Sequence, residues 1–373
     1  MPRNYRTVRL NDVRVGRRAR RLVRRTLRSG QLASGPRVLE FEEQIRTLTN
    51  SKYFAAVSNG TSALQLALRA ASLGPGDEVI TTCFTFGATW NAILACGASL
   101  RYVDICADDF NLDLSSVRER VCGKTKAIVP VHLYGLPCDL SEIRDLALTH
   151  QLRVVEDCAQ ALGAVSDEIS AGTIDIGAFS FYATKNLTTG EGGGVSCGNL
   201  DDFRQVTLLR NQGFLRRYEY ETLGENHRMT DVAASLGLGE VSGYRDQVER
   251  RRHNARCLSD GLAGVSELRV PTVPNGRDHV WHQFTIVLNS GDSDERDRLR
   301  EFLAAQQIES GVYYPLPLHE YLCFRDHPRV LHEERTPVAD RIARSCLSIP
   351  VHQRLGKSDV DRVVETIRNF FRR

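Results

Sequence analysis

The chain has 373 residues, 42% of them hydrophobic and 25% charged, with a net charge of +3. That length and balance fit a globular protein with room for two domains and a substantial core; they exclude a disordered, collagen-like or disulfide-stapled chain. Charge is unevenly spread: residues 1–28 hold eleven arginines against one acid, Asp12, a basic arm ahead of a net acidic remainder.

Within that arm Val13, Val15, Ala19, Leu22, Val23 and Leu27 form a rough helical face, which predicts a solvated or interface helix rather than a nucleic-acid arm. Asn59–Ala71 reads as a helix opened by Gly60, Thr61 and Ser62. Turn chemistry at Gly74-Pro75-Gly76-Asp77 leads into a strand over Glu78–Thr82, and Ser99–Asp104 reads as another. Ala127–Leu133 is a near-continuous apolar run, as in a strand buried on both faces. Leu152–Glu156, Ile176–Phe181 and Gly192–Ser196 read as further strands, with helices such as Leu140–Thr149 between them. This alternation predicts a mostly parallel α/β sheet.

After about residue 245 a charged helix over Arg245–Leu262 is followed by a strand, His282–Val287, and by helices over Asp294–Gln306 and Ser358–Phe371. The expected division is a basic arm over 1–28, a large domain over 29–245 and a smaller α+β domain over 246–373. The ten cysteines show no CxxC spacing, so reduced thiols in a cytoplasmic protein are expected rather than a metal cluster. No apolar span is long enough for a membrane segment, and the net charge favours neither a nucleic-acid nor a membrane partner.

Only five of the 49 basic residues are lysines: Lys52, Lys124, Lys126, Lys185 and Lys357. Codon bias toward arginine accounts for the shortage, yet arginine cannot serve as an amine nucleophile. Lys185 lies just past the apolar run Phe179-Ser180-Phe181-Tyr182, and Asp157 directly follows Val154-Val155-Glu156. Both stand where the C-terminal ends of parallel strands, the usual ligand side, are expected. Gly60-Thr61-Ser62 opens a helix, where backbone N–H groups suit a phosphate. Singly these are a surface charge, a helix cap and a turn. Together they supply what pyridoxal phosphate needs: an amine, a carboxylate for the ring nitrogen and a phosphate cup, with Phe86 as a flat group for the ring.

The ordered motifs Leu32-Ala33-Ser34-Gly35-Pro36, Ser58-Asn59-Gly60-Thr61-Ser62, Thr85-Phe86-Gly87-Ala88-Thr89, Pro130-Val131-His132-Leu133-Tyr134-Gly135, Glu156-Asp157-Cys158-Ala159-Gln160 and Ser180-Phe181-Tyr182-Ala183-Thr184-Lys185-Asn186 resemble those of the DegT/DnrJ/EryC1/StrS sugar aminotransferases. The resemblance implies a fold type I enzyme with a mostly parallel seven-stranded sheet. It implies that Lys185 binds pyridoxal 5'-phosphate as a Schiff base and then moves protons as the base. Asp157 would pair with the ring nitrogen and Gln160 with the phenolic oxygen. Gly60, Thr61, Ser62 and Ser180 would hold the phosphate, and Phe86 would cover the ring. Asn226-His227-Arg228-Met229 resembles the family's Asn-x-Arg-Met motif, which implies that Asn226 completes the phosphate cup of a partner subunit in a homodimer. Tyr314, His319 and Arg228 are the implied substrate contacts.

The function so implied is amino transfer from L-glutamate to a nucleotide-linked keto sugar, with a dTDP-4-keto-6-deoxyhexose aminated at C4 the leading reading. C3 amination, a keto-cyclitol acceptor and a non-catalytic regulatory protein are the alternatives. The related sugar dehydratases carry histidine at the lysine position, which Lys185 argues against.

Overall fold

The computed structural model describes residues 6–332 and 335–372. Its large sheet contains β1 (Tyr53–Val57), β2 (Glu78–Thr82), β3 (Ser99–Val103), β4 (Thr125–Val129), β5 (Arg153–Asp157), β6 (Ile176–Ser180), β7 (Gly193–Cys197) and β8 (Val330–Leu331). In space they run β1-β7-β6-β5-β4-β2-β3-β8. β7 is antiparallel to both neighbours, and the other pairs are parallel. The six strands read from the sequence are present, β1 completes the seven-stranded sheet that the resemblance implies, and the two-residue β8 adds an eighth by pairing Val330 with Leu100 at the β3 edge. The strand expected over Ala127–Leu133 ends at Val129; past Pro130, which has no N–H to donate, an isolated bridge still pairs Val131 with Asp157. The chain continues into a 3₁₀ turn, Leu133–Gly135, with Tyr134 in the left-handed region (φ 58°, ψ 2°).

The helices that set the site are α1 (Arg17–Ser29), α2 (Gly60–Ala70), α3 (Gly87–Ala95) and α4 (Asp231–Val241). α2 has Asn59 as its N-cap, whose side-chain oxygen accepts the Ser62 N–H at 2.8 Å. Its face of Ala63, Leu66, Ala67 and Ala70 is buried in the core that also holds Val155, Ala178 and Val195 of the sheet. A smaller antiparallel sheet of Leu268–Arg269, Phe284–Leu288 and Cys346–Ile349 packs with helices Ser293–Ala305 and Lys357–Phe371. Phe284, Ile286, Leu299, Leu303, Val363 and Ile367 fill that second core.

The basic N-terminal stretch is divided between the two cores. Val8 bridges to Ile308 and is buried among the residues of the smaller core. Burying such a side chain contributes about 1.5 kcal/mol. α1 lies instead against α4, with Ala19 fully buried and the Thr26 and Ser235 hydroxyls 2.7 Å apart. Its seven arginines point outward. The two helices approach so closely that a Cβ on Gly239 would stand 2.3 Å from the Ala19 Cα. Gly239→Val is therefore expected to lower unfolding stability by about 1–3 kcal/mol, read by urea denaturation, and to make the α1 segment protease-sensitive. Unchanged stability and protection would show that α1 does not need this contact.

Candidate active site

Strands β2, β5 and β6 run parallel, so their C-terminal ends open on one edge, and a cavity of about 900 Å³ lies there. Asp157 is the last residue of β5 and Ser180 the last of β6. Lys185 follows in the turn after β6, and Phe86 caps the start of α3 just after β2. Gly60 and Thr61 are the first two residues of α2, where amide groups have no carbonyl one turn back to bond. All six line the cavity, as do Gln160 and Tyr314. Glycine at 60 is required: a Cβ there would lie 2.8 Å from the Ser180 Cβ, so the bare backbone brings the helix start against Ser180.

The Asp157 carboxylate is 5% exposed. Its Oδ2 accepts the Thr89 hydroxyl at 2.8 Å and its Oδ1 the Ala159 N–H at 3.1 Å. Thr89 is in turn 3.1 Å from the Thr85 hydroxyl, so the Thr-Phe-Gly-Ala-Thr motif orients the acid as well as placing Phe86. Enclosure by the protein lowers the Lys185 ammonium pKa to about 8, while the Asp157 carboxylate works in the opposite direction. About a tenth of this amine is then unprotonated at pH 7, far more than of an ordinary lysine, as a nucleophile or base requires. His282 borders the same space. Burial, with the positive charges of Lys185 and Arg251, holds its pKa well below the ordinary histidine value.

Other expected site residues sit elsewhere. Ser62 turns away from the cavity, its hydroxyl 3.0 Å from His227 Nδ1 and 3.2 Å from the Ser58 hydroxyl. His319 stacks on Tyr102, with ring centroids 4.8 Å apart and planes 2° from parallel, and does not line the cavity. Arg228 donates to Asn211 Oδ1 at 2.7 Å and faces a separate groove between α1 and α4. Asn226 is exposed, its backbone bridged to Asn211. Leu10 and Asn11 from the N-terminal stretch do line the cavity, as do Tyr182, Tyr313 and Glu191. Nothing local in the sequence marks Leu10 or Asn11; the pairing of Val8 with Ile308 carries them there.

One buried cluster has metal-like composition: His132, Glu156 and Cys158 offer ligand atoms within 4.8 Å of one another. His132 Nδ1 accepts the Cys138 N–H at 3.1 Å, so Nε2 carries the proton and donates to Glu156 Oε2 at 3.0 Å. Glu156 also accepts the Gly172 and Ile174 amides at 2.8 and 2.9 Å. These partners are all donors, and burial pushes the Cys158 thiol up, so the cluster braces the strand beside Asp157 rather than offering a ready cation site.

The donor set of the cavity matches a pyridine cofactor group by group. Asp157 suits a protonated ring nitrogen, the α2 start and the Ser180 hydroxyl suit a phosphate, and Lys185 is the enclosed amine. Gln160 Oε1 accepts the Tyr134 N–H at 2.6 Å, so its amide can only donate to a ring oxygen. Fold and site thus define a fold type I pyridoxal-phosphate enzyme.

The model of the DegT/DnrJ/EryC1/StrS aminotransferase family matches residues 14–368, and the chain belongs to that family. It is a pyridoxal-phosphate-dependent aminotransferase. The UDP-N-acetyl-3-dehydro-alpha-D-glucosamine 3-aminotransferase of Acidithiobacillus ferrooxidans is 38% identical over 331 residues, 88% of this chain and 86% of that protein. A pleiotropic regulatory protein of Geobacillus stearothermophilus is 37% identical over 94% of each chain. The crystal structure of DesV from S. venezuelae, in complex with a ketimine intermediate, superposes with a TM-score of 0.91 at 34% identity, covering 95% of this chain and 94% of that one.

Asp157 raises the Lys185 pKa, so removing its charge should lower it. In cofactor-free enzyme, labelling of Lys185 by an amine-selective reagent is expected to rise with pH around a midpoint of about 8, and around a lower midpoint in Asp157→Asn. A midpoint near that of an exposed lysine, or one that Asp157→Asn leaves in place, would contradict this account of the site.

Proposed function

We propose that this enzyme transfers the amino group of L-glutamate to a nucleotide-linked keto sugar, as a cytoplasmic homodimer with shared active sites. The observation that carries the reading is a cavity of about 900 Å³, holding Lys185 and Asp157 at one wall. That volume is at the upper end of ordinary small-molecule sites, with room for a bulky acceptor beside the cofactor.

When bound, pyridoxal phosphate supplies an electron sink for the charge left when a proton leaves the substrate carbon. The protein's own groups do the rest. Asp157, held by Thr89 and Ala159, keeps a proton on the ring nitrogen. Lys185 Nζ, partly unprotonated near neutral pH, takes and returns the proton at the substrate carbon. The amides of Gly60 and Thr61 and the Ser180 hydroxyl anchor the phosphate, and Phe86 bounds the ring.

Charge supports the shared site. Glutamate and a sugar nucleotide are both anionic, yet Lys185 is the one lysine and there is no arginine among the described residues lining the cavity. Both Asn226 and Arg228 lie outside it, Asn226 exposed and Arg228 in a groove shared with the basic helix α1. Next to them a hairpin pairs Phe214–Arg216 with Glu219–Tyr220 and exposes Leu215, Tyr218, Tyr220 and Leu223. Exposed apolar surface of this kind is covered in an assembly. Asn226 and Arg228 would then act in the partner's cavity.

The likeness of Asn226-His227-Arg228-Met229-Thr230 to the 4-amino subgroup supports a dTDP-4-keto-6-deoxyhexose aminated at C4. The Acidithiobacillus relative is named for amination at position 3, which supports a second reading, C3 amination.

Glutamate is expected to bleach the yellow enzyme, and a nucleotide keto sugar to restore the colour, with the amino sugar detected by mass. No bleaching with any amino acid would sink the proposal. The shared site is tested by mixing two inactive variants, Lys185→Ala and Asn226→Ala. Mixed dimers regain one complete site, and no recovery despite proven subunit exchange would show that each chain completes its own.

A further inference from the structure

Tyr134, Gln160 and Tyr314 form a hydrogen-bonded chain that ends at the cavity wall, and its direction follows from the donors. A backbone N–H can only donate. The Tyr134 N–H donates to Gln160 Oε1 at 2.6 Å, so the carbonyl end of that amide faces Tyr134. The NH₂ end therefore faces Tyr314, whose hydroxyl oxygen accepts from Gln160 Nε2 at 3.4 Å. With its oxygen accepting, the Tyr314 hydroxyl keeps its own proton free to donate, and Tyr314 lines the cavity. The Asp157 oxygens already face the Thr89 hydroxyl and the Ala159 amide.

The same turn holds the ring of Tyr314 in place. Tyr134 is buried in the left-handed region, and its hydroxyl donates to the Tyr313 carbonyl oxygen. The Tyr134 carbonyl accepts the Gln283 N–H at 3.1 Å, which ties this turn to the smaller core. A bulky residue in that backbone region needs support from its surroundings, and such residues gather at functional sites. The Tyr314 ring packs against Phe84, with centroids 5.8 Å apart, and faces Phe86 at 6.4 Å. Burial, with the nearby Asp157 charge, raises the phenol pKa, so the donor proton is retained through the working pH range.

We propose that Tyr314 is a further catalytic residue, donating a hydrogen bond to the carbonyl oxygen of the amino acceptor, and that Tyr134 acts through Gln160 as the positioning residue that sets this polarity. The proposal rests on the aminotransferase reading. A carbonyl oxygen is purely an acceptor, and it gathers negative charge as its carbon is attacked. A donor aimed at it therefore binds the transition state more strongly than the ground state. An inverted amide at Gln160 would turn the Tyr314 proton toward residue 160 and leave the carbonyl without a donor. The backbone N–H of Tyr134, which every substitution but proline retains, prevents that inversion.

The test is Tyr314→Phe, studied by single half-reactions of the holoenzyme. The rate constant with a nucleotide keto sugar is expected to fall about 10²-fold, with little change in its KM. Cofactor content and yellow colour should stay as in the wild type, since Phe keeps the ring packing. Fluorotyrosine at 314, a more acidic phenol of nearly the same shape, should recover the rate and make it track phenol acidity. A merely structural role would produce no such dependence. Full activity in Tyr314→Phe, a loss confined to KM, or insensitivity to phenol acidity would each overturn the proposal. If no keto sugar is accepted by the wild type, the substrate reading fails separately, and 2-oxoglutarate supplies the carbonyl for the same comparison.

Discussion

The register between Arg153–Asp157 and Ile176–Ser180 decides which of two consecutive acids reaches the cavity. Glu156 pairs opposite Gly177 and Asp157 opposite Ala178. Successive strand residues point to opposite faces, so a slip by one would exchange the two carboxylates. Each is committed by different partners. Glu156 is fully buried and receives His132, Gly172 and Ile174, which locks the strand from the side away from the cofactor. Asp157 is left to the cavity, with Thr89 and the Ala159 amide aiming it. The same register sets Ser180 beside the glycine at the start of the helix Gly60–Ala70 and puts Lys185 within electrostatic reach of Asp157.

Two opposing demands meet at Lys185. Enclosure weakens its ammonium form, while the Asp157 carboxylate strengthens it. The balance leaves a pKa of about 8, low enough for a free-base fraction and high enough that a proton taken up is held until it is returned. Arginine could not be tuned this way, because its guanidinium does not deprotonate in proteins. In a chain that uses arginine for nearly every other basic position, the lysine here is a chemical requirement.

Much of this was legible before any coordinates. Apolar runs of four to seven residues separated by turn chemistry mark the parallel strands, strand ends mark Asp157 and Lys185 as neighbours, and Ser180 enters through the family resemblance. This wall of the cavity is readable because its groups sit directly at those ends. What stayed hidden depends on long-range contacts. Ser62 follows Gly60 and Thr61 in the chain, but one further residue of helical rotation turns it onto His227. His319 is drawn onto the face of Tyr102, a contact across more than two hundred residues that no local pattern encodes. Leu10 and Asn11 reach the cavity because Val8 is buried in the smaller core, a fact masked by the arginines around it.

The distribution of charge links these levels. The chain holds 49 basic residues, yet the described cavity wall has one lysine and no arginine, while seven arginines cover the outer face of Arg17–Ser29. A cation placed inside beside Lys185 would depress the pKa of that lysine further and lower its capacity to hold a proton. Keeping the guanidinium groups outside protects the titration of the catalytic amine. Arg20 and Arg24 of the basic helix, with Arg228 and Met229, border a separate groove that meets the cavity at Glu191, so the positive charge nearest the site lies at its edge rather than on its wall.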